Sequence, residues 1–157
     1  MANPFHDPAS ATVQNLEAAF AGESMAHIKY RYFAKLCREM GDEETARAFE
    51  ATADQEVMHA FGHLDLLYPK AKMSPARALE FAIEGETYEY TEMYPAFRHT
   101  AVAEGHSAAV QEIDEQIAES REHALAQALG RDDIGSKRQD CRVGDGGATH
   151  GGFGASG

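Results

Sequence analysis

The stretch Thr52-Ala-Asp-Gln-Glu56-Val-Met-His59-Ala60 carries a carboxylate and an imidazole three residues apart. Residues at that spacing are neighbours on one face of an α-helix. In steps of three and four, the same face carries Phe49 before the pair and Leu66 after it, so the pair interrupts an apolar seam. An ionised carboxylate inside a helical core is costly unless it is paired, protonated or bound to a metal. The stretch therefore indicates a metal site on core-facing helices.

Three further stretches of the chain show the same feature, because acidic and imidazole side chains interrupt apolar helical seams there too. The candidates are Glu23 in the first stretch, Glu86 and Glu89 in the third, and Glu119 and His123 in the fourth. Carboxylates that face one another repel unless a cation lies between them. One glutamate from each helix together with Glu-x-x-His motifs is the pattern of di-iron and di-manganese carboxylate sites in helical bundles. Oxygen-rich ligands with two imidazoles suit iron or manganese.

Helical segments fill the chain as far as Leu129, and we predict helices at about 12–40, 42–67, 75–103 and 105–129. The third helix begins after Ser74-Pro75, a capping residue followed by a proline at the first helical position, and Pro95 indicates a kink inside it. The connections after the first and third helices are short. The sequence therefore predicts an all-α, antiparallel four-helix bundle over residues 1–129. Glycine is dense from Gly130 to Gly157, which predicts a flexible tail over 130–157.

The two predicted hairpins repeat one another. Glu23 aligns with Glu86, but Tyr30 aligns with Tyr94 at an offset that is larger by one. The larger offset also aligns His59 with His123. The third helix therefore has one extra residue between Glu86 and Tyr94. An inserted residue in a helix is commonly absorbed as a π-bulge, and such bulges are frequent at functional sites. We therefore predict an i→i+5 hydrogen bond near residues 86–94.

The composition excludes some partners and one class of site. A formal net charge of −12 argues against nucleic acid as a partner, since phosphate binding needs a basic face. No apolar run approaches the ~18 residues of a membrane span, and the N-terminus lacks the features of a secretory signal, so we expect no membrane partner and a cytoplasmic location. The two cysteines, Cys37 and Cys141, form no CxxC motif. This excludes a four-thiolate rubredoxin-type or zinc-ribbon site within this chain.

Four motifs resemble the di-iron domain of rubrerythrins, and the resemblance spans roughly residues 12–129. The motifs are Phe20-Ala-Gly-Glu-Ser24, Arg31-Tyr-Phe-Ala34, the stretch from Thr52 to Ala60, and Gly85-Glu-Thr-Tyr-Glu-Tyr-Thr-Glu-Met-Tyr-Pro95. The resemblance implies a ferritin-like bundle in which a reduced di-iron centre converts hydrogen peroxide into water, usually with electrons from rubredoxin. The pronounced internal repeat, together with the missing rubredoxin-type site, makes the chain look most like the symerythrin branch.

The resemblance also implies a cofactor and a ligand set. The cofactor is two iron ions (Fe²⁺/Fe³⁺), oxo- or hydroxo-bridged when oxidised, with manganese as an alternative. The residues at the family's ligand positions are Glu23, Glu56, His59, Glu86, Glu89 and His123. The fourth helix departs from the pattern, because Ser120 stands where the motif requires a glutamate. We expect the neighbouring Glu119 to bind instead, through a local π-bulge. In the family, the residues equivalent to Glu89 and His59 exchange as ligands when the irons change oxidation state, and we expect the same here.

Other side chains near the predicted ligands have supporting roles. Tyr30 and Tyr94 lie about two turns from the ligand glutamates of their helices, which suits hydrogen bonds to those carboxylates as well as aromatic packing. His27 and His63 are predicted to be hydrogen-bonded residues beside the site rather than ligands.

The predicted function is that of a rubrerythrin-like peroxidase or oxidase. This di-iron oxidoreductase would reduce hydrogen peroxide or dioxygen with electrons from an external donor protein, rubredoxin-like or other, and a homodimer is compatible with the sequence. One alternative is a ferritin-like iron-binding or storage protein, which needs a shell of subunits. The other is a structural bundle without metal, which the clustered core carboxylates disfavour.

Overall fold

The computed structural model describes residues 3–143, and the regular structure in this range is helical. The helices are α1 (Ala11–Glu39), α2 (Glu43–Leu67), α3 (Pro75–Tyr88), α4 (Tyr94–Glu104) and α5 (Ser107–Val143). A 3₁₀ turn at Lys70–Lys72 precedes α3, and a π-helical segment at Glu89–Met93 joins α3 to α4. Between Met73 and Ser74 the chain divides into two compact units, each of which contains one helical hairpin.

The first unit is the hairpin of α1 and α2. Its contact face is made of small side chains, and the buried ones include Ala34, Ala46, Ala53 and Ala60. Small side chains at a helix contact shorten the distance between the helix axes. The chain reverses at Gly41, whose φ of 84° lies in the left-handed region that glycine adopts without steric cost.

Arg38 ties α1 to α2 beside this turn. Its guanidinium donates hydrogen bonds of 3.0 Å to Glu43 and to Glu50. These hydrogen bonds hold the pKa of both carboxyls below the usual range. Since a carboxyl with a lowered pKa stabilises the fold while it is ionised, the contribution is present at neutral pH and is lost as acid protonates the pair.

The second unit packs α3, the π-helical segment and α4 against α5. Its turn contains Gly105, whose φ is 76°, at the position that the internal repeat pairs with Gly41. Arg98 of α4 forms an ion pair with Asp114 of α5. The two hairpins therefore reverse direction with the same backbone conformation at equivalent positions.

The π-helical segment confirms the prediction made from the slip in the internal repeat. The backbone N–H of Tyr94 donates to the carbonyl oxygen of Glu89, five residues earlier. Pro95 follows directly, in the first turn of α4, where the missing N–H of a proline is tolerated. The extra residue of the third predicted helix is thus absorbed between two α-helical stretches.

The prediction of an all-α fold made of two repeated helical hairpins is confirmed. The end of the last helix differs, because α5 continues to Val143 although the sequence predicted an end at Leu129. A glycine inside a helix costs about 1 kcal/mol, and Gly130 and Gly135 do not end a helix that meets no proline. Residues 144–157 of the predicted tail lie outside the described range. Within residues 3–143, no helix is both long and apolar enough to cross a membrane.

Ser74 starts α3 by capping it, since its hydroxyl oxygen accepts a hydrogen bond of 3.2 Å from the backbone N–H of Arg77. Replacing Ser74 with alanine is expected to lower the free energy of unfolding by about 1 kcal/mol. Urea unfolding followed by circular dichroism measures this change. Asparagine at position 74 supplies an equivalent capping oxygen, so Ser74→Asn is the matched control and should retain the stability. An alanine variant as stable as the parent would contradict the capping role.

Candidate metal centre

Three side chains of the first unit form a cluster of candidate metal ligands. Glu23 on α1 and both Glu56 and His59 on α2 each offer one ligand atom, and these atoms all lie within 4.8 Å of one another. Nδ1 of His59 is 2.9 Å from Oε2 of Glu56. We call these three residues the first ligand set. Two carboxylate oxygens and one imidazole nitrogen at such separations are suitable for binding a single cation.

The close packing of α1 on α2 positions this set. Ala53 and Ala60 lie one turn before and one turn after Glu56 and are 0% and 5% exposed. His27 of α1 reaches the same place, with its Nδ1 at 2.8 Å from the backbone oxygen of Ala53, so His27 is hydrogen-bonded as predicted. The side chain of Glu56 is 16% exposed and that of His59 is 60% exposed. The carboxylate is therefore held inside the hairpin while the imidazole stays accessible.

The second unit carries a second group of predicted ligands. Oε1 of Glu86 on α3 lies 3.4 Å from Nδ1 of His123 on α5. Glu89, at the start of the π-helical segment, is half-buried. We call Glu86, Glu89 and His123 the second ligand set because they are the predicted ligands of this unit. Among the described residues, only the first ligand set brings three ligand atoms within 4.8 Å of one another. The carboxylate–imidazole contact of the second set joins two helices, whereas Glu56 and His59 share one.

Ser120 corrects the prediction that Glu119 faces the site. Ser120 is 4% exposed, and its hydroxyl donates a hydrogen bond of 3.1 Å to Oε2 of Glu89, whereas Glu119 is exposed. Consecutive residues of a helix point about 100° apart, and α5 is α-helical throughout, without a π-helical turn that would bring position 119 round. The offset that aligns His59 with His123 also pairs Glu56 with Ser120, which is the sequence signal for its position.

The two predicted tyrosines have different surroundings. Tyr30 packs against Phe49, with ring centroids 5.8 Å apart. Tyr94 is half-buried, and its burial, followed by the negative charges of Glu89 and Glu86, raises the pKa of its phenol. Tyr94 therefore stays protonated at neutral pH beside the carboxylates of the second ligand set.

The chemistry of both sets fits a hard or borderline metal cation. Carboxylate oxygens and imidazole nitrogens suit iron and manganese. Two arginines form their ion pairs elsewhere, Arg31 with Asp54 and Arg98 with Asp114. Both arginines are paired with carboxylates that belong to neither ligand set, and a bound metal is a counter-charge that suits the clustered carboxylates.

Comparisons with known proteins agree with this chemistry. The rubrerythrin family model matches residues 14–69, which include the whole first ligand set. Nigerythrin of Nitratidesulfovibrio vulgaris is 42% identical over an alignment of 112 residues, which covers 64% of this chain and 55% of nigerythrin. The chain resembles the rubrerythrin family. Rubrerythrin of Porphyromonas gingivalis is 38% identical over an alignment of 107 residues, which covers 61% of this chain and 54% of that relative.

The chain spans about half the length of the curated rubrerythrins and nigerythrin that it matches. Solved structures of nigerythrin in its fully reduced, all-ferrous state and in its mixed-valence state are 36% and 37% identical to it. The matches cover 82% and 85% of this chain and 69% and 72% of the two nigerythrin chains, with TM-scores of 0.41 and 0.39. The family resemblance seen in the sequence is confirmed.

Proposed function

We propose that the chain is a di-iron oxidoreductase that reduces hydrogen peroxide or dioxygen to water with electrons from an external donor protein. The observation that carries the proposal is the first ligand set, whose three ligand atoms lie within 4.8 Å of one another in the part of the chain that the rubrerythrin model matches. With peroxide, two electrons and two protons break the O–O bond, and each oxygen leaves as water.

In this proposal the two ligand sets would supply the ligands of two irons. The proposed ligands are Glu23, Glu56 and His59 of the first set and Glu86, Glu89 and His123 of the second. When bound, the irons would supply the two electrons and would act as Lewis acids toward the oxygen atoms of the substrate. By analogy with the family, Glu89 would bind one iron in the oxidised form, and His59 would do so in the reduced form.

The chain's own side chains manage protons and orientation. Because the pKa of Tyr94 is raised by burial and by neighbouring carboxylates, its phenol O–H remains available as a hydrogen-bond donor at the second set. His27 is hydrogen-bonded to the backbone oxygen of Ala53, one turn from Glu56. This contact limits the movement of the first ligand set. Ferrous iron needs a reducing compartment, so the cytoplasm is the proposed location.

The proposal predicts iron content and donor dependence together. The purified protein should contain two irons per chain, with the charge-transfer absorption of a diferric centre after oxidation in air. After anaerobic reduction, it should consume at most one peroxide per di-iron centre, and turnover should continue only when a reduced donor protein such as rubredoxin is added. Stopped-flow absorption and a peroxide electrode measure both quantities.

Two results would contradict this proposal. Sustained peroxide consumption with NADH and no added protein would show that the chain does not need an external donor. Iron accumulation far above two ions per chain, in a large assembly by size-exclusion chromatography, would favour the storage function instead.

A further inference from the structure

The end of α2 is capped differently from the ends of α1 and α4. Beyond Gly41 and Gly105, which have positive φ, the chain turns back and donates backbone N–H groups to the carbonyl oxygens of the preceding helix. The α2 helix has no such glycine, because Tyr68-Pro69 follows its last residue, Leu67. A proline has no N–H to donate. The last carbonyl oxygens of α2 therefore need donors from elsewhere in the chain.

The donors come from the N-terminal segment that precedes α1. Nδ2 of Asn3 donates a hydrogen bond of 2.9 Å to the backbone oxygen of Leu67. Nε2 of His6 lies 3.0 Å from the backbone oxygen of Leu66 and 3.1 Å from that of Leu67. Because a carbonyl oxygen only accepts hydrogen bonds, Nε2 of His6 carries the proton. Two side chains from the start of the chain thus satisfy the last two carbonyl oxygens of α2.

The contact at Asn3 is buried and bonded on both sides. Asn3 is 8% exposed and Leu67 is 2% exposed. Oδ1 of the Asn3 amide accepts a hydrogen bond of 3.0 Å from the backbone N–H of Phe5, while its Nδ2 donates to Leu67. A buried amide left without partners destabilises a fold. The bonds of Asn3 therefore favour a single position of the N-terminal segment on α2.

The same segment also contacts the chain that follows α2. The ring of Phe5 packs edge-on against the ring of Tyr68, with centroids 6.1 Å apart. Nζ of Lys72, in the 3₁₀ turn, lies 3.5 Å from the backbone oxygen of Phe5 and 5.6 Å from the centre of its ring. Residues 68–73 lead from the first unit to the second. The N-terminal segment therefore contacts both the end of α2 and this connection.

We propose that residues 3–6 form a latch, a conformational device that caps α2 and holds the connection at 68–73 on the first unit. When the latch opens, the last turn of α2 loses its cap and the connection is released. The middle of α2 stays helical, because Leu66 lies about two turns beyond His59. No metal takes part in the latch, so this inference is independent of the proposed function.

Limited proteolysis of the full chain tests the latch, because Lys70 and Lys72 place two trypsin sites in the connection. Asn3→Asp keeps the acceptor oxygen, removes the N–H donor and puts a negative charge at a helix C-terminus, where it is unfavourable. Combined with His6→Ala, it removes the hydrogen bonds to α2. Cleavage of a folded chain follows the population of locally opened forms. We expect cleavage after both lysines to be about 10-fold faster than in the parent, as measured by mass spectrometry.

Two single substitutions of His6 separate its hydrogen bonds from its packing. His6→Gln places an amide nitrogen where Nε2 of the imidazole lies, so cleavage in the connection should stay within a few-fold of the parent. His6→Asn has a shorter side chain whose amide does not reach that position, so it should be cleaved as fast as His6→Ala. Glutamine and asparagine variants that are cleaved equally fast would overturn the role of the His6 hydrogen bonds.

Gln14→Ala is the matched control for the double variant. Nδ2 of Asn3 and Nε2 of Gln14 both donate over 2.9 Å, but Gln14 bonds to the backbone oxygen of Pro8 and, among the hydrogen bonds described, not to α2. It should be cleaved as the parent is. Unchanged cleavage in the double variant would overturn the latch. A rise of equal size at every lysine and arginine would also overturn it, because that pattern indicates unfolding of the whole chain.

Discussion

Replacing Glu56 with alanine is expected to remove most of the bound iron. Glu56 belongs to the first ligand set and also lies 2.9 Å from Nδ1 of His59, so its loss removes one ligand and the partner of another. The affinity of this set for Fe²⁺ should fall by more than the roughly 10- to 100-fold typical of groups that only orient ligands. Elemental analysis of the purified variant and an anaerobic Fe²⁺ titration measure the effect.

The apo form of the same variant provides an independent check. Glu23 and Glu56 bring two carboxylates within 4.8 Å without a cation between them, and removing one member of a repelling pair relieves an unfavourable interaction. The metal-free Glu56→Ala protein should therefore melt at a higher temperature than the metal-free parent. Glu44→Ala, which changes an exposed glutamate of the same helix, is the matched control and should keep the parent's iron content. Unchanged iron stoichiometry in Glu56→Ala would refute the ligand assignment.

Deleting Thr91 from the π-helical segment is expected to weaken iron binding while the hairpin stays folded. The deletion gives α3 and α4 the spacing of α1, which lacks the extra residue and is regular along its length. A regular helix restores the i→i+4 pattern, so the melting temperature should be unchanged or higher. Glu89, however, loses the backbone conformation that presents it to Ser120. Because Glu89 is the expected ligand of the oxidised form, we expect the air-oxidised variant to bind iron about 10-fold or more weakly than the parent, in line with the loss of an orienting contact.

The control for this deletion is Thr91→Ala, which keeps the length of the segment and removes only a hydroxyl bonded to the backbone oxygen of Thr87. This variant should bind iron as the parent does. Far-UV circular dichroism establishes that the deletion variant is helical before its iron content is interpreted. A deletion variant with two tightly bound irons would show that the π-helical segment does not position Glu89.

Local signals in the sequence were enough to predict most of the fold. Gly41 and Gly105 end helices because glycine adopts the left-handed conformation of these turns without steric cost, and Ser74 followed by a proline is a complete helix start. The π-helical segment was predictable because the two hairpins align residue by residue, so a single extra residue in one of them changes the offset. The end of α5 was not predictable, because glycines without a proline weaken a helix without fixing where it stops.

The candidate site was predictable where its contacts are local. Glu56 and His59 share one helical face, so their proximity follows from spacing alone. The contact between Glu86 and His123 joins two helices, and the sequence could place both residues on facing seams without giving the pairing. The choice between Glu119 and Ser120 depends on a rotation of about 100°, which apolar periodicity does not resolve when both neighbours are polar.

The π-helical segment and Pro95 also determine where the third predicted helix fluctuates. The segment departs from the regular backbone ladder, and Pro95 offers no amide hydrogen in the turn that follows. Local opening is easiest where backbone hydrogen bonds are fewest and most exposed. Protection of amide hydrogens against solvent exchange is therefore lowest between the two α-helical stretches. Glu89 begins this segment, so we expect it to change conformation at a smaller free-energy cost than unfolding of the whole hairpin.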